Sequence, residues 1–219
     1  MKILNLYAGI GGNRKLWGDE HEITAVEYDE KIAAVYSEHF PNDTVIVGDA
    51  HQYLLDHYKE FEDGFIWSSP PCPTHSGVNH FLNAQGVIRY PDMKLYEEII
   101  FLQTFFKGKF CIENVAPYYK PLIPAKKIGR HLFWSNFVIG YFKDDSVHMG
   151  RLANNRPGET QSNTVNKDTN RIFDLTNSKG IDKHKVTNNC ANPESSLHIL
   201  NCAQNIITKQ NQKQTDLFI

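Results

Sequence analysis

The strongest constraint on the fold is an alternation of short apolar runs with helical periodicities through the first 115 residues. The apolar runs that predict strands are 2–6, 22–27, 44–47, 64–67 and 110–112. The stretches between them that predict helices are 31–40, 52–58 and 94–106. This alternation predicts an α/β protein with a doubly wound, mostly parallel sheet.

Polar or flexible residues follow each predicted strand. In order along the chain they are the glycine turn at 9–12, Glu27, Asp49, Cys72 and Glu113. Ligands of such sheets bind beyond the carboxyl ends of the strands. We therefore expect these five features to form one site.

The character of the chain changes after Gly140. Residues 144–192 are rich in Asn, Thr, Lys and Ser, and their scattered apolar residues, such as Ile172, Phe173 and Leu175, cannot fill a core by themselves. We expect a catalytic domain over 1–143, a loop-rich insertion over 144–186, and a segment over 187–207 whose helix begins at Pro193. The polar residues 208–219 are expected to form a flexible tail.

The net charge of −2 hides a division between the halves of the chain. Residues 1–115 carry nine basic and seventeen acidic side chains, whereas residues 116–219 carry fourteen and eight. This asymmetry predicts an anionic partner for the second half, such as a nucleic acid.

Several classes of protein are disfavoured. The four cysteines, Cys72, Cys111, Cys190 and Cys202, show no metal-ligand spacing and no disulfide framework. No apolar run reaches the roughly 18 residues of a membrane span, and no cleavable signal is visible. We expect a monomeric cytoplasmic protein with reduced thiols, no metal and no membrane partner.

The residues at the strand ends suggest a chemistry. Gly9, Gly11 and Gly12 allow the backbone to approach a ligand closely. Glu27 could bind two ribose hydroxyls and Asp49 an exocyclic amine, so together they describe a nucleoside cofactor site.

The second half of the expected site is a thiol. Pro70 and Pro71 give a rigid loop that presents Cys72 as a nucleophile. Glu113, after the neighbouring strand, could act as an acid beside it.

These motifs resemble the DNA cytosine-5 methyltransferases. The matching segments are 5–12 (Asn-Leu-Tyr-Ala-Gly-Ile-Gly-Gly), Glu27, 48–49, 70–72 (Pro-Pro-Cys), 113–115 (Glu-Asn-Val) and 189–193. The resemblance implies a Rossmann-like sheet that binds S-adenosyl-L-methionine, with 144–186 as a reduced target-recognition region. The cofactor contacts that it implies are Tyr7, Ala8, Gly9, Ile10, Gly11, Gly12, Glu27, Tyr28, Asp49, Ala50, Pro70 and Asn189.

The resemblance also implies a mechanism. A cytosine is flipped out of duplex DNA, and the Cys72 thiolate adds to its C6 while protonated Glu113 bonds N3. C5 then takes the methyl group, and loss of the C5 proton releases Cys72. Asn114 would hold either the loop or the edge of the base.

The chain departs from the family pattern at three places. Asn5 replaces the usual Asp, and the loop after Cys72 carries His75 where the family more often has Phe. The usual Gln-x-Arg-x-Arg motif is degraded, so either Arg130 or His131 occupies the position of the base-contacting arginine. A permanent cation suits the cytosine carbonyl better, which favours Arg130.

The remaining predicted contacts are to DNA. They are Ser76, Lys126, Lys127, Arg151, Arg156, Lys167, Asn170 and Arg171. A target-recognition region of this size suits a DNA target of about two to four base pairs. The tail residues Gln214, Thr215, Asp216, Leu217 and Phe218 resemble the peptide by which bacterial proteins bind the replicative sliding clamp, so that clamp is a second expected partner.

Three alternatives remain open. Ser69-Pro70-Pro71 fits an amino-methyltransferase, but that class has no role for Cys72 or Glu113. A tRNA cytosine-5 methyltransferase with DNA-type motifs is disfavoured because a Cys-Phe-Thr motif is absent. A degenerate DNA-binding relative would explain the weakened arginine motif but not the intact Cys72 and Glu113.

Overall fold

A single mixed sheet organises the computed structural model, which describes residues 1–143, 173–176 and 178–206. Within these residues the sheet has seven strands: β1 (Lys2–Leu6), β2 (Glu22–Glu27), β3 (Thr44–Val47), β4 (Phe65–Ser68), β5 (Lys109–Val115), β6 (Lys126–Ile128) and β7 (His131–Ser135). The α-helices are α1 (Glu30–His39), α2 (Ala50–His57), α3 (Val78–Ala84), α4 (Lys94–Phe105), α5 (Lys183–Asn188) and α6 (Pro193–Ala203). Short 3₁₀ turns occupy Arg14–Leu16 and Tyr58–Phe61.

The strand order is β3-β2-β1-β4-β5-β7-β6. Strands β1 to β5 pair in parallel, whereas β7 is antiparallel to both β5 and β6. The chain winds outward from β1 to β3 and then crosses back to place β4 on the other side of β1. This reversal opens a crevice at the carboxyl ends of β1 and β4. The doubly wound α/β sheet expected from the sequence is confirmed.

Helices cover both faces of the sheet because side chains alternate between its faces along each strand. In β1, Leu4 and Leu6 pack on one face with residues of α2 and α4. Ile3 packs on the other face with α6, and α1 contacts that face through Tyr36. No described helix is long and apolar enough to cross a membrane.

The elements differ from the sequence expectation at several boundaries. Strand β5 continues to Val115, so Glu113 and Asn114 lie within the strand rather than after it. The element prediction did not include α3, β6 or β7, which are short and lack a clear period. Helix α6 ends at Ala203, before the expected 207, and residues 207–219 with the clamp-like peptide lie outside the described residues.

The segment expected to be a separate insertion joins the catalytic domain at its C-terminal part. Phe173, Leu175 and Val186 are buried against Ile10 and Val35. These apolar residues cannot form a core alone, and they complete an existing one instead. The expected DNA contacts Arg151, Arg156, Lys167, Asn170 and Arg171 lie outside the described residues.

A buried ion pair lies in the region after the glycine turn. Arg14 donates to both carboxylate oxygens of Asp43, at 2.9 and 3.1 Å. Both side chains are almost fully buried, and the Tyr36 hydroxyl also donates to Asp43 at 2.8 Å. Arg14 bonds Asp19 as well, but the Asp19 side chain is 81% exposed.

We expect Asp43→Asn to lower the free energy of unfolding by about 3 kcal/mol, because it removes the buried partner of the Arg14 charge and leaves only the exposed Asp19 carboxylate. Asp19→Asn is the matched control, and it should cost less than about 1 kcal/mol because its partner is solvated. Urea unfolding measures both changes. Equal costs for the two variants would contradict this role for the buried pair.

Candidate active site

The glycine turn follows β1 at the crevice between β1 and β4. Gly9 adopts a left-handed backbone with φ of +56°, which favours glycine. Its N–H donates to one Glu27 carboxylate oxygen at 2.9 Å, and the Asp29 N–H donates to the other at 3.0 Å. The turn and the end of β2 are thereby joined, with Glu27 fixed between them.

Asp49 lies at the end of the next strand outward and caps α2. One of its carboxylate oxygens accepts the N–H groups of His51 and Gln52. The side chain is half exposed, so the other oxygen faces the edge of the sheet, 3.9 Å from the Lys94 ammonium. Among the neighbouring residues expected to bind a cofactor, Ala50 is buried and Tyr28 is 80% exposed.

The residues around Gly9 pack against other parts of the protein. Ala8 and Ile10 are buried in the core. A side chain at Gly12 would collide with the Cys190 sulfur and the Ala191 carbonyl. The segment before α6 therefore packs directly on the turn, although Asn189 itself is exposed.

Asn114 fastens the loop that carries Cys72. Its buried side-chain amide donates to the Pro70 carbonyl at 2.9 Å, and its oxygen accepts the Val115 N–H. Of the two roles considered for Asn114, this geometry favours holding the loop. The Cys72 carbonyl then accepts the N–H groups of His75 and Ser76, which closes the loop into a turn.

Cys72 lies close enough to two opposite charges for both to affect its ionisation. Burial raises the pKa of the Cys72 thiol, and the Glu113 carboxylate raises it further. A backbone hydrogen bond and the Arg130 guanidinium act in the opposite direction. The charges of Glu113 and Arg130 therefore act on the ionisation of the Cys72 thiol in opposite directions.

Arg130 and His131, the two candidates for the position of the base-contacting arginine, lie in different places. His131 begins β7, and its Nε2 is 3.4 Å from a Glu113 carboxylate oxygen. Arg130 is exposed in the β6–β7 turn and donates to the Asn188 carbonyl at 3.3 Å. The histidine thus contacts the Glu113 carboxylate, while the guanidinium bonds the Asn188 carbonyl.

A cleft of about 470 Å³ opens beside these groups. It is lined by Ser76, Gly77, Val115, Ala116, Lys127, Gly129 and Arg130. Ser76 also pairs with Pro117 through a β-bridge. Lys126 is exposed on the same strand as Lys127 but does not line the cleft.

The sequence reasoning missed a buried carboxylate between the two halves of the site. Glu98 of α4 is fully buried and accepts hydrogen bonds from Tyr7 and Ser68. A signal was available, because Glu98 lies three residues after Leu95 and four before Leu102, on the apolar face of the helix. A charged residue on a buried face must have polar partners.

Residues 1–117 match the family described as C-5 cytosine-specific DNA methylase. No curated protein matches the chain. Among solved structures, a mutant of DNMT2 from Spodoptera frugiperda is similar at 29% identity over 52% of this chain and 35% of that one, with a TM-score of 0.38.

Two further structures are similar at lower identity. A putative DNA modification methyltransferase from an Escherichia coli prophage has 18% identity over 55% of this chain and 33% of its own, with a TM-score of 0.37. The methyltransferase EhMeth of Entamoeba histolytica has 16% identity over 52% and 38%, with a TM-score of 0.39. The chain spans little more than a third of the length of these three proteins.

The charges around Cys72 predict its reactivity in the free protein. Glu113→Gln removes a negative charge that opposes the thiolate, and we expect iodoacetamide to alkylate Cys72 about threefold faster at pH 8. Arg130→Gln should slow the reaction by a similar factor of about three, since it removes a favourable charge. Peptide mass spectrometry measures both rates.

Cys190 provides the internal reference for this experiment, because burial raises its pKa to about 12. Its slow alkylation should be the same in wild type and in both variants. A change of the same sign at Cys72 in the two variants would contradict the proposed arrangement of charges.

Proposed function

The chain belongs to the C-5 cytosine-specific DNA methylase family, and we propose that it transfers a methyl group from S-adenosyl-L-methionine to C5 of a cytosine flipped out of duplex DNA. The observation that carries this proposal is the position of the Cys72 loop, which Asn114, the neighbour of Glu113 on β5, holds through its hydrogen bond to the Pro70 carbonyl. This loop lies next to the glycine turn, across the crevice between β1 and β4. A nucleophile and an acid thus face the position where a nucleoside cofactor would lie.

The residues of the turn fit the cofactor of this family, S-adenosyl-L-methionine. A Cβ at Gly9 or Gly48 would meet nothing within 4 Å, so the backbone at both strand ends borders open space. Glu27 stands at this edge with both oxygens oriented by backbone N–H groups, which leaves lone pairs for ribose hydroxyls. Asp49 adds a half-exposed carboxylate where an adenine amine would lie. When bound, the cofactor supplies an electrophilic methyl group on a sulfonium sulfur.

The chain's own groups account for activation of the cytosine. The Cys72 thiolate forms a bond to C6, which moves electron density to C5, while protonated Glu113 donates to N3. C5 would then form its bond to the methyl carbon, and the bond from that carbon to the sulfonium sulfur would break to leave the thioether S-adenosylhomocysteine. A base then removes the C5 proton and the Cys72 thiolate leaves C6, which restores the aromatic ring.

The ionisation of Cys72 depends on Glu113 in this scheme. In the free protein an ionised Glu113 opposes the thiolate and raises the pKa of Cys72. Once Glu113 carries a proton and bonds N3, that opposition is lost, so base binding and formation of the nucleophile are coupled. Asn114, bonded to the Pro70 carbonyl, keeps the loop in place throughout.

We assign the cytosine carbonyl to Arg130 and the orientation of Glu113 to His131. The assignment rests on the 3.4 Å separation of His131 from Glu113 and on the influence of Arg130 on Cys72. A guanidinium is a permanent donor to a carbonyl oxygen, whereas an imidazole close to a carboxylate suits the positioning of that group.

Removal of the nucleophile tests the function. We expect Cys72→Ala to lower transfer of labelled methyl groups to duplex DNA by at least about 10³-fold while S-adenosylhomocysteine still binds, because covalent activation of C5 is lost. Cys202→Ala, which removes a thiol from the core instead, should retain activity. Bisulfite sequencing locates the product.

The identity of the methylated product separates the alternatives. 5-Methylcytosine in DNA supports the proposal. Methyl groups on RNA cytosine would overturn it in favour of a tRNA enzyme, and methyl groups on adenine in favour of an amino-methyltransferase. No transfer by the wild type would overturn it in favour of a DNA-binding relative.

Salt dependence tests the surface that would bind DNA. Lys127 and Arg130 line the cleft beside Cys72, in the basic half of the chain. We expect the dissociation constant for duplex DNA to rise at least about tenfold between roughly 50 and 200 mM salt. Lys127→Gln should reduce the slope of log affinity against log salt by about one.

Lys109→Gln is the matched control, since it removes the same charge. Lys109 is the first residue of β5. Lys127 pairs with Leu132, which also pairs with Asn114 near the end of β5, so the two lysines lie at opposite ends of the strands. Affinity that does not depend on salt, or equal effects of the two substitutions, would contradict this placement.

A further inference from the structure

Glu98 joins three elements of the site through a carboxylate with no solvent exposure. One oxygen accepts the Tyr7 hydroxyl at 2.6 Å and lies 3.0 Å from His51 Nδ1. The other accepts the Ser68 hydroxyl at 2.7 Å. Its partners therefore come from the residue that links β1 to the glycine turn, from the first turn of α2, and from the last residue of β4.

We propose that Glu98 is a positioning residue that sets the affinity for the cofactor by fixing Tyr7 and Ser68 on either side of the crevice. The inference rests on the proposed function, because it treats Tyr7 as part of the wall of the cofactor site. Glu98 itself is buried behind this wall and touches no reacting atom.

The backbone of Tyr7 explains why such a residue is needed. Tyr7 has a φ of +56°, a left-handed conformation that is unfavourable for a residue with a side chain. Its ring packs against the core and its hydroxyl is anchored on Glu98, so side-chain contacts hold this conformation. Loss of the anchor would let the turn relax and disturb the adjacent Gly9–Glu27 contact.

Ser68 links Glu98 to the other half of the site, the loop that carries Cys72. It is buried at the end of β4, two residues before Pro70, where the loop carrying Cys72 begins. The Glu98 carboxylate thus contacts both strand ends that define the crevice. A buried carboxylate with three donors has an enforced geometry, since each donor left unpaired would be costly.

His51 makes this network sensitive to pH. The hydrogen bond to Glu98 raises the pKa of His51, against the opposing effect of burial. The other charged groups near its ring are Glu97 and Lys94 on α4. On its own helix, the Asp49 carboxylate accepts the His51 backbone N–H.

Binding of S-adenosylhomocysteine, measured by calorimetry, tests the proposal. We expect Glu98→Gln to weaken binding by about tenfold or more, with kcat at saturating cofactor changed by less than about threefold. Glu97→Gln is the matched control, because Glu97 is the neighbouring residue, is exposed and reaches only the far side of His51, at 3.6 Å. It should leave the affinity within about twofold of the wild type.

Tyr7→Phe shows whether Glu98 acts through the hydroxyl. The variant keeps the ring and removes only the donor to Glu98, so it should weaken binding and should be non-additive with Glu98→Gln. If Glu98→Gln fails to fold, Tyr7→Phe alone decides the outcome. Affinity within about twofold of wild type in every folded variant, or fully additive effects, would overturn the proposal.

The pH dependence of stability gives a readout independent of catalysis. A raised pKa in the folded protein means that protonated His51 stabilises the fold fully below about pH 6.5, and that this contribution is lost as the pH rises through the folded value. The difference in unfolding free energy between wild type and His51→Gln should therefore shrink from pH 6 to pH 9. This trend should disappear in a Glu98→Gln background, and its persistence there would count against the network.

These readouts distinguish failure of the inference from failure of the proposed function. A wild type that binds S-adenosylhomocysteine but methylates no cytosine would overturn the function and leave the Glu98 test intact. A wild type that binds no S-adenosylhomocysteine would overturn both. Methylation by the wild type with unchanged affinity in the Glu98 and Tyr7 variants would overturn the inference alone.

Discussion

The parallel pairing of β1 with β4 is the constraint on which the site depends. Leu6 pairs with Ser68 at the carboxyl ends of these strands, so the glycine turn and the loop of Cys72 leave the sheet side by side. The chain reaches β4 only after winding outward through β2 and β3, and this reversal prevents a helix from filling the space between the two ends. Residues more than 60 positions apart in the sequence thus face one another.

Charge at this edge is arranged so that each acidic group has a partner. Glu27 is held by two backbone N–H groups, Asp49 caps a helix, and Glu113 lies beside His131. Glu98 lies beneath them with its partners all inside the protein. Part of the excess negative charge of residues 1–115 therefore lies at the expected cofactor site. Cations from residues 116–219, such as Lys127 and Arg130, line the cleft beside Cys72.

The sequence predicted the parts of this arrangement that depend on local pattern. Short apolar runs and the polar residues at their ends were sufficient to place Glu27, Asp49 and Cys72 at one end of a parallel sheet. Strands β6 and β7 were harder to predict, because β6 has only three residues and β7 is defined by its antiparallel pairing with β5. That pairing brings His131 to Glu113, a contact that no local pattern contains.

Long-range contacts account for the other differences. Phe173 and Leu175 lie in a polar stretch, and their packing against Ile10 and Val35 makes them core residues. Glu98 could have been noticed on the apolar face of α4, but its partners Tyr7 and Ser68 are fixed by the sheet order. Sequence reasoning predicted a chemistry for the site, and the sheet topology determined which side chains surround it.

The central claim is that Cys72 forms a covalent bond to a cytosine beside Glu113. A duplex in which every cytosine is replaced by 5-fluorocytosine tests it directly, because fluorine at C5 cannot leave as a proton does and the adduct cannot be released. Incubation with S-adenosyl-L-methionine should give a protein–DNA complex that survives denaturation, with the nucleotide attached to the peptide carrying Cys72. The absence of such a complex from active protein, or an equal yield from the Cys72→Ala variant, would contradict the account.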